Sequence, residues 1–125
     1  MSVITEKHLE IINKSEWIAI ATEGEEGAHV VGTWCDYLEF IEEDTILIPV
    51  GGYVKTSKNL AVNNKIELLC GTRQVMGANS AGKGCFLKGT AEVQNEGRFA
   101  DIMKEKFVWS RGALVVHVEK ASTQL

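Results

Sequence analysis

The chain has 125 residues, 45% apolar and 24% charged, with a formal net charge of −4 and a sequence pI of about 5.4. This describes one globular domain, spanning 1–125, with core enough to fold without disulfides or metal. Scattered lysines mixed with acids argue against nucleic acid as a partner; no segment has the apolar length of a membrane span or a signal core, so a soluble cytoplasmic protein is expected.

"TEKHLEIINKSE" places Leu9, Ile11 and Ile12 at helical spacing, with Thr5 able to cap the start. "WIAIATE" is apolar and β-branched and predicts a strand. "GEEGA" turns the chain, and "HVVGTW" is the returning strand of a hairpin. At its end stand Thr33, whose hydroxyl can bond a phosphate, and Trp34, whose indole can cover a flat ring or simply fill the core. "YLEFI" and "TILIPV" form a second hairpin about the turn "EED".

"IPVGGYVKTSKNLAVNN" comes next. Pro49 cannot donate a ladder hydrogen bond and ends the strand. Gly51 and Gly52 let the backbone bend and let a flat ligand come close. "TSKNLAVNN" predicts a short helix, with Thr56 or Ser57 as its cap and Leu60 inward. Two readings are open. One is a turn and a capped helix with a surface lysine, a common arrangement. The other is an anion site, since Lys55, Thr56 and a helix start supply the positive charge, hydroxyl and N–H groups that phosphate requires.

"KIELLCGTR" predicts a strand, "QVMGANSAGKG" a glycine-rich loop and "CFLKGTAEVQN" another strand. Gly77 to Gly84 fits G-x-x-x-x-G-K, but Gly84 stands where a Walker A motif needs Ser or Thr, and a strand follows where a helix is required. "GRFADIMKEKFVW" has helical spacing. Trp109 and Arg111 precede the final strand "ALVVHVE", and "KASTQL" is a tail. Trp109 is core or pocket lining; Arg111 is a surface charge or an anion partner. Cys35, Cys70 and Cys85 are widely spaced and read as reduced, mostly buried thiols, and His8, His29 and His117 lack zinc-motif spacing. Short connections make the sheet largely antiparallel, and closing it into a small barrel would remove its edges. No triad, zincin or paired-carboxylate signature occurs, so any redox chemistry would be carried by a bound cofactor.

Taken together, "WIAIATEGEEGAHVVGTW", "ILIPVGGYVKTSKNL" and "ALVVHVEKASTQL" resemble the small FMN-binding proteins of sulfate-reducing bacteria, in the flavin split-barrel group related to pyridoxamine 5′-phosphate oxidase. The resemblance covers nearly the whole chain, and P-V-G-G-x-x-K-T-x-x-N is its most specific part. It implies a mainly β fold: a six-stranded antiparallel split barrel of Greek-key character with two or three short helices. It also implies a homodimer with non-covalent FMN at the subunit interface. By match, Thr33, Lys55 and Thr56 would hold the phosphate. Gly51 and Gly52, led into by Pro49 and Val50, would back the isoalloxazine. Trp34 and Trp109 would line it, and Leu125 would reach the partner's flavin. Gly32 departs from the family's asparagine, Val54 from a histidine and Tyr53 from a methionine, and the glycine-rich loop lacks an arginine. These departures bear on affinity, potential and redox partner.

The function expected is electron transfer or reduction of a small substrate by a flavoprotein. Vitamin B6 oxidation is disfavoured, because no arginine cluster offers a second phosphate pocket. The alternative is a non-catalytic module that stores flavin or binds haem, with His8, His29 or His117 as ligand.

Overall fold

A computed structural model describes residues 2–125. Its elements run α1 (Glu6–Lys14), β1 (Trp17–Gly24), β2 (Gly27–Trp34), a 3-10 turn (Cys35–Tyr37), β3 (Glu39–Ile41), β4 (Thr45–Val50), α2 (Val54–Val62), β5 (Lys65–Met76), β6 (Ala81–Gln94), α3 (Arg98–Lys106) and β7 (Gly112–Gln124). The strands form one sheet in the order β2-β1-β5-β6-β7-β4-β3, and every pairing is antiparallel. This is an antiparallel split β-barrel. It has seven strands where six were expected, and β3, only three residues long, lies at the sheet edge.

Alternation along β1 turns Ile18, Ile20 and Thr22 inward. Ile18 and Ile20 meet Ile66 and Leu68 of β5, Leu87 of β6, and Leu114 and Val116 of β7. Ile11 and Ile12 of α1 join the same core. Each such fully buried aliphatic side chain contributes about 1.5–3 kcal/mol. All six residues of β4 are buried, because the strand is covered on both faces. Ile46, Ile48 and Val50 point into the barrel, while Leu47 packs with Ala113, Val115 and Met103 beneath α3.

Local sequence misled in three places. Thr56 and Ser57 look like caps, but α2 starts earlier; its N-cap is Tyr53, in a left-handed conformation at φ 54°. The glycine-rich "loop" is mostly strand, since Gly71 pairs with Gly84 and Thr72 with Lys83, leaving only residues 77–80 to turn. Tertiary pairing overrides the weak strand propensity of glycine here. The "tail" is strand as well: β7 pairs with β6 as far as Gly84↔Gln124, and the Leu125 carbonyl accepts the Ala78 N–H at 2.7 Å.

Candidate functional site

β4 delivers Pro49 and Val50 to a turn whose glycines are both exposed. The Trp109 indole packs against Gly51, where a Cβ would stand 3.3 Å from its ring. Trp109 in turn joins Tyr37 and Phe107, with ring centroids 5.8 and 5.4 Å from its own. Gly52 faces open space.

Beyond the turn, Tyr53 folds back so that its phenol meets the Thr33 hydroxyl; burial pushes the phenol pKa up, and the Thr33 hydrogen bond acts the other way. The end of β2 and the start of α2 are thereby brought together. Thr56 lies in the first turn of α2 and is 1% exposed. Its hydroxyl oxygen is buried and, among the described residues, has no hydrogen-bond partner. An unpaired buried hydroxyl is costly unless a ligand satisfies it.

Lys55 is turned toward the β1–β2 hairpin, where its ammonium bonds Glu26 at 2.5 Å. That hydrogen bond, with the lysine's charge, holds the Glu26 carboxyl below the usual carboxylate range. One turn further along α2, buried Asn59 donates to the Thr22 hydroxyl at 3.1 Å. It lies so close under Gly24 that a Cβ there would meet its side-chain oxygen at 2.1 Å. Asn59 thus anchors α2, with Lys55 and Thr56, to β1.

Trp34 is placed elsewhere. It is half-exposed and stacks edge-on against Trp17 at 4.8 Å. Directly opposed residues share a face, so the outer side of the sheet presents Trp17 and Trp34, Ala19 with Gly32 and Leu69, and Ala21 with Val30. Trp17, Val30, Trp34 and Leu69 are exposed there. Leu125 borders a hollow of about 470 Å³ on this face with Trp17 and Leu69. Within one chain, therefore, Trp109 stands at the glycine turn, while Trp34 and Leu125 lie on the outer apolar face.

The remaining candidates fall apart from the turn. Cys70 and Cys85 oppose each other across β5 and β6, and with Cys35 they are buried free thiols. His8 belongs to the cap of α1, His29 to β2 and His117 to β7. The residues that sequence reasoning passed over are Glu26, Asn59 and Tyr53 as a hydroxyl partner; Arg111 was singled out, but not as a partner of backbone carbonyls. Asn59 had a signal in the K-T-x-x-N run, whereas Glu26 and Tyr53 had none.

No helix among the described residues is long and apolar enough to cross a membrane. A curated FMN-binding protein of Nitratidesulfovibrio vulgaris is 36% identical over 116 residues, covering 93% of this chain and 94% of the relative. Two solved structures share the fold. Group A Streptococcus HupZ matches with a TM-score of 0.78 at 22% identity, over 94% of this chain and 91% of its own. An FMN-binding protein from Syntrophomonas wolfei subsp. wolfei matches with a TM-score of 0.72 at 20% identity, over 96% and 85%. The family model for pyridoxamine 5′-phosphate oxidase matches residues 4–124, and the chain belongs to that family.

Proposed function

We propose that this chain is a flavoprotein. It holds FMN non-covalently at the interface of a homodimer and uses it to pass electrons or to reduce a small substrate. The observation that carries this reading is the Thr56 hydroxyl, buried and unpartnered beside Lys55 in the first turn of α2. A phosphate oxygen accepts from a hydroxyl, a lysine and helix-start N–H groups together, and Thr33 lies next to this turn through Tyr53. The name of the 36%-identical relative supports the same ligand.

The residues present fit the group. Thr33, Lys55 and Thr56 would hold its phosphate, and Gly51 and Gly52 would back its ring beside Trp109. When bound, the isoalloxazine would supply reversible electron transfer. The chain's own part is to bind it, to bring backbone close to it and to exclude water with indole and aliphatic surface.

The dimer rests on the outer face with Trp17, Val30, Trp34 and Leu69. A second copy covering it would bring Trp34 and Leu125 toward the partner's flavin and complete the ring cover that one chain lacks. Vitamin B6 oxidation remains disfavoured. Arg73 lies on β5, Arg98 on α3 and Arg111 just before β7, and Arg98 is paired with Glu42.

The test is an absorbance spectrum of the purified protein, acid release and identification of the chromophore, and titration of the apoprotein with FMN. A flavin spectrum or stoichiometric uptake is expected. Absence of both would overturn the reading, and a Soret band would replace it with haem. Reduction of the bound flavin by a chemical or enzymatic donor is also expected; a flavin that no donor reduces would point to storage.

A further inference from the structure

Arg111 precedes β7 and is exposed, yet its hydrogen-bonding groups are heavily committed. Its Nε donates to the Gly51 carbonyl at 3.2 Å, Nη2 to the Gly52 carbonyl at 2.7 Å and Nη1 to Asn95 Oδ1 at 2.8 Å. Its backbone N–H donates to the Val50 carbonyl at 2.8 Å. One residue thus takes three successive carbonyls of the turn. The planar fork of a guanidinium suits this, since two carbonyls can be held at a fixed spacing.

No peptide bond here is cis. In a trans peptide the N–H points opposite to the C=O. The peptides that present the Gly51 and Gly52 carbonyls to Arg111 therefore turn the N–H groups of Gly52 and Tyr53 away from it. Among the described residues neither N–H is used in a hydrogen bond, and the space over Gly52 is open. A glycine pair left to itself would sample many peptide orientations.

We propose that Arg111 is a positioning residue. By holding the Gly51 and Gly52 carbonyls it fixes the Gly52 and Tyr53 N–H groups as a pair of donors for the acceptor edge of a flat heteroaromatic ring. This rests on the flavin reading above, in which that ring is the isoalloxazine. Arg111 then serves the ring end of the ligand and makes no contact with its phosphate.

The experiment compares wild type with Arg111→Met, Arg111→Lys and Asn95→Ala. Dissociation constants for FMN and for riboflavin are measured by flavin fluorescence, under conditions where circular dichroism shows each variant folded. Arg111→Met is expected to weaken both ligands by the same factor, about tenfold, the size of one lost hydrogen bond. Arg111→Lys keeps the charge but loses the fork and should recover little of this. At saturating FMN its midpoint potential should still fall below that of wild type, because ring-directed donors stabilise added electron density. Asn95→Ala should shift both ligands in the same direction by less. A loss confined to FMN, full recovery by Arg111→Lys, or unchanged binding in every variant would overturn the role of Arg111. Should Arg111→Met not fold, Arg111→Lys and Asn95→Ala decide alone. If wild type itself takes up neither flavin, the flavin reading fails, an outcome distinct from failure of the arginine's role.

Discussion

The Trp17 indole lies across Gly32 so closely that a Cβ on Gly32 would stand 2.3 Å from three of its ring atoms. The resemblance puts asparagine at this position, and here the half-exposed Trp17 indole occupies the space such a side chain would take. Gly32→Asn should therefore destabilise the protein by about 1–3 kcal/mol through overpacking. Gly32→Asn combined with Trp17→Val should recover most of that loss. Urea unfolding of the two single variants and the double variant measures the coupling; simple additivity would break the explanation.

Lys55→Ala with Thr56→Val should weaken FMN by about 10- to 100-fold, the scale of two hydrogen bonds to a charged group. Riboflavin, which lacks the phosphate, should bind as before. Equal loss for both ligands would remove the phosphate from this end of α2.

Glu26 competes for the same ammonium. The Lys55–Glu26 pair is exposed on the Glu26 side, at 79%, so its effect on affinity should be modest. Glu26→Gln frees Lys55 and should tighten FMN about twofold at low salt, with the gain shrinking as salt rises. Calorimetric titration at two ionic strengths checks this.

The outer apolar face makes a prediction about assembly. Leu69→Glu or Val30→Lys should convert a dimer to a monomer in sedimentation and should lower flavin affinity together with it. A monomer that keeps full affinity would separate the flavin site from the interface.

His8 gives stability a pH dependence. Burial lowers its pKa from the ordinary 6.5, and its Nδ1 accepts the Thr5 N–H at 2.9 Å, a bond that an imidazolium cannot make. The folded state thus binds fewer protons at this site than the unfolded state does. Its contribution is complete above 6.5 and is lost as pH falls through the lowered folded value. Stability should fall as pH drops below 6.5, and His8→Gln should flatten that limb. Urea midpoints across this range test the sign.

The β-rich fold was legible because alternation in "WIAIATE" and the runs "TILIPV" and "ALVVHVE" carry burial directly. By residue type alone the Pro49–Thr56 run was open to two readings, a capped turn or an anion site, and only the family resemblance favoured the second. The start of α2 was not legible, since its N-cap is a tyrosine in a conformation that sequence does not advertise. This matters for function: with Tyr53 as N-cap, Thr56 is free of capping duty and its hydroxyl stays unpaired. The separation of Trp34 from Trp109 follows from sheet register, which spacing along the chain does not encode. Arg111 was read as a surface charge or an anion partner, and its hold on Gly51 and Gly52 went unseen because backbone carbonyls have no residue type.

β4 is buried on both faces; it pairs with β7 from Thr45 to Val50 and with β3 over Thr45–Leu47. Its amides should be among the slowest to exchange with solvent, opening only when the whole barrel opens. The Gly51–Gly52 turn hangs from that strand, whereas α2 leaves Val54, Lys58, Ala61 and Val62 exposed and is tied to β1 through Asn59; such a helix on the surface is expected to exchange sooner than β4. The two ends of the proposed ligand are then held by parts of the molecule with different lifetimes. The ring end, held to β4 and by Arg111, should outlast the phosphate end, where a bound molecule would first let go.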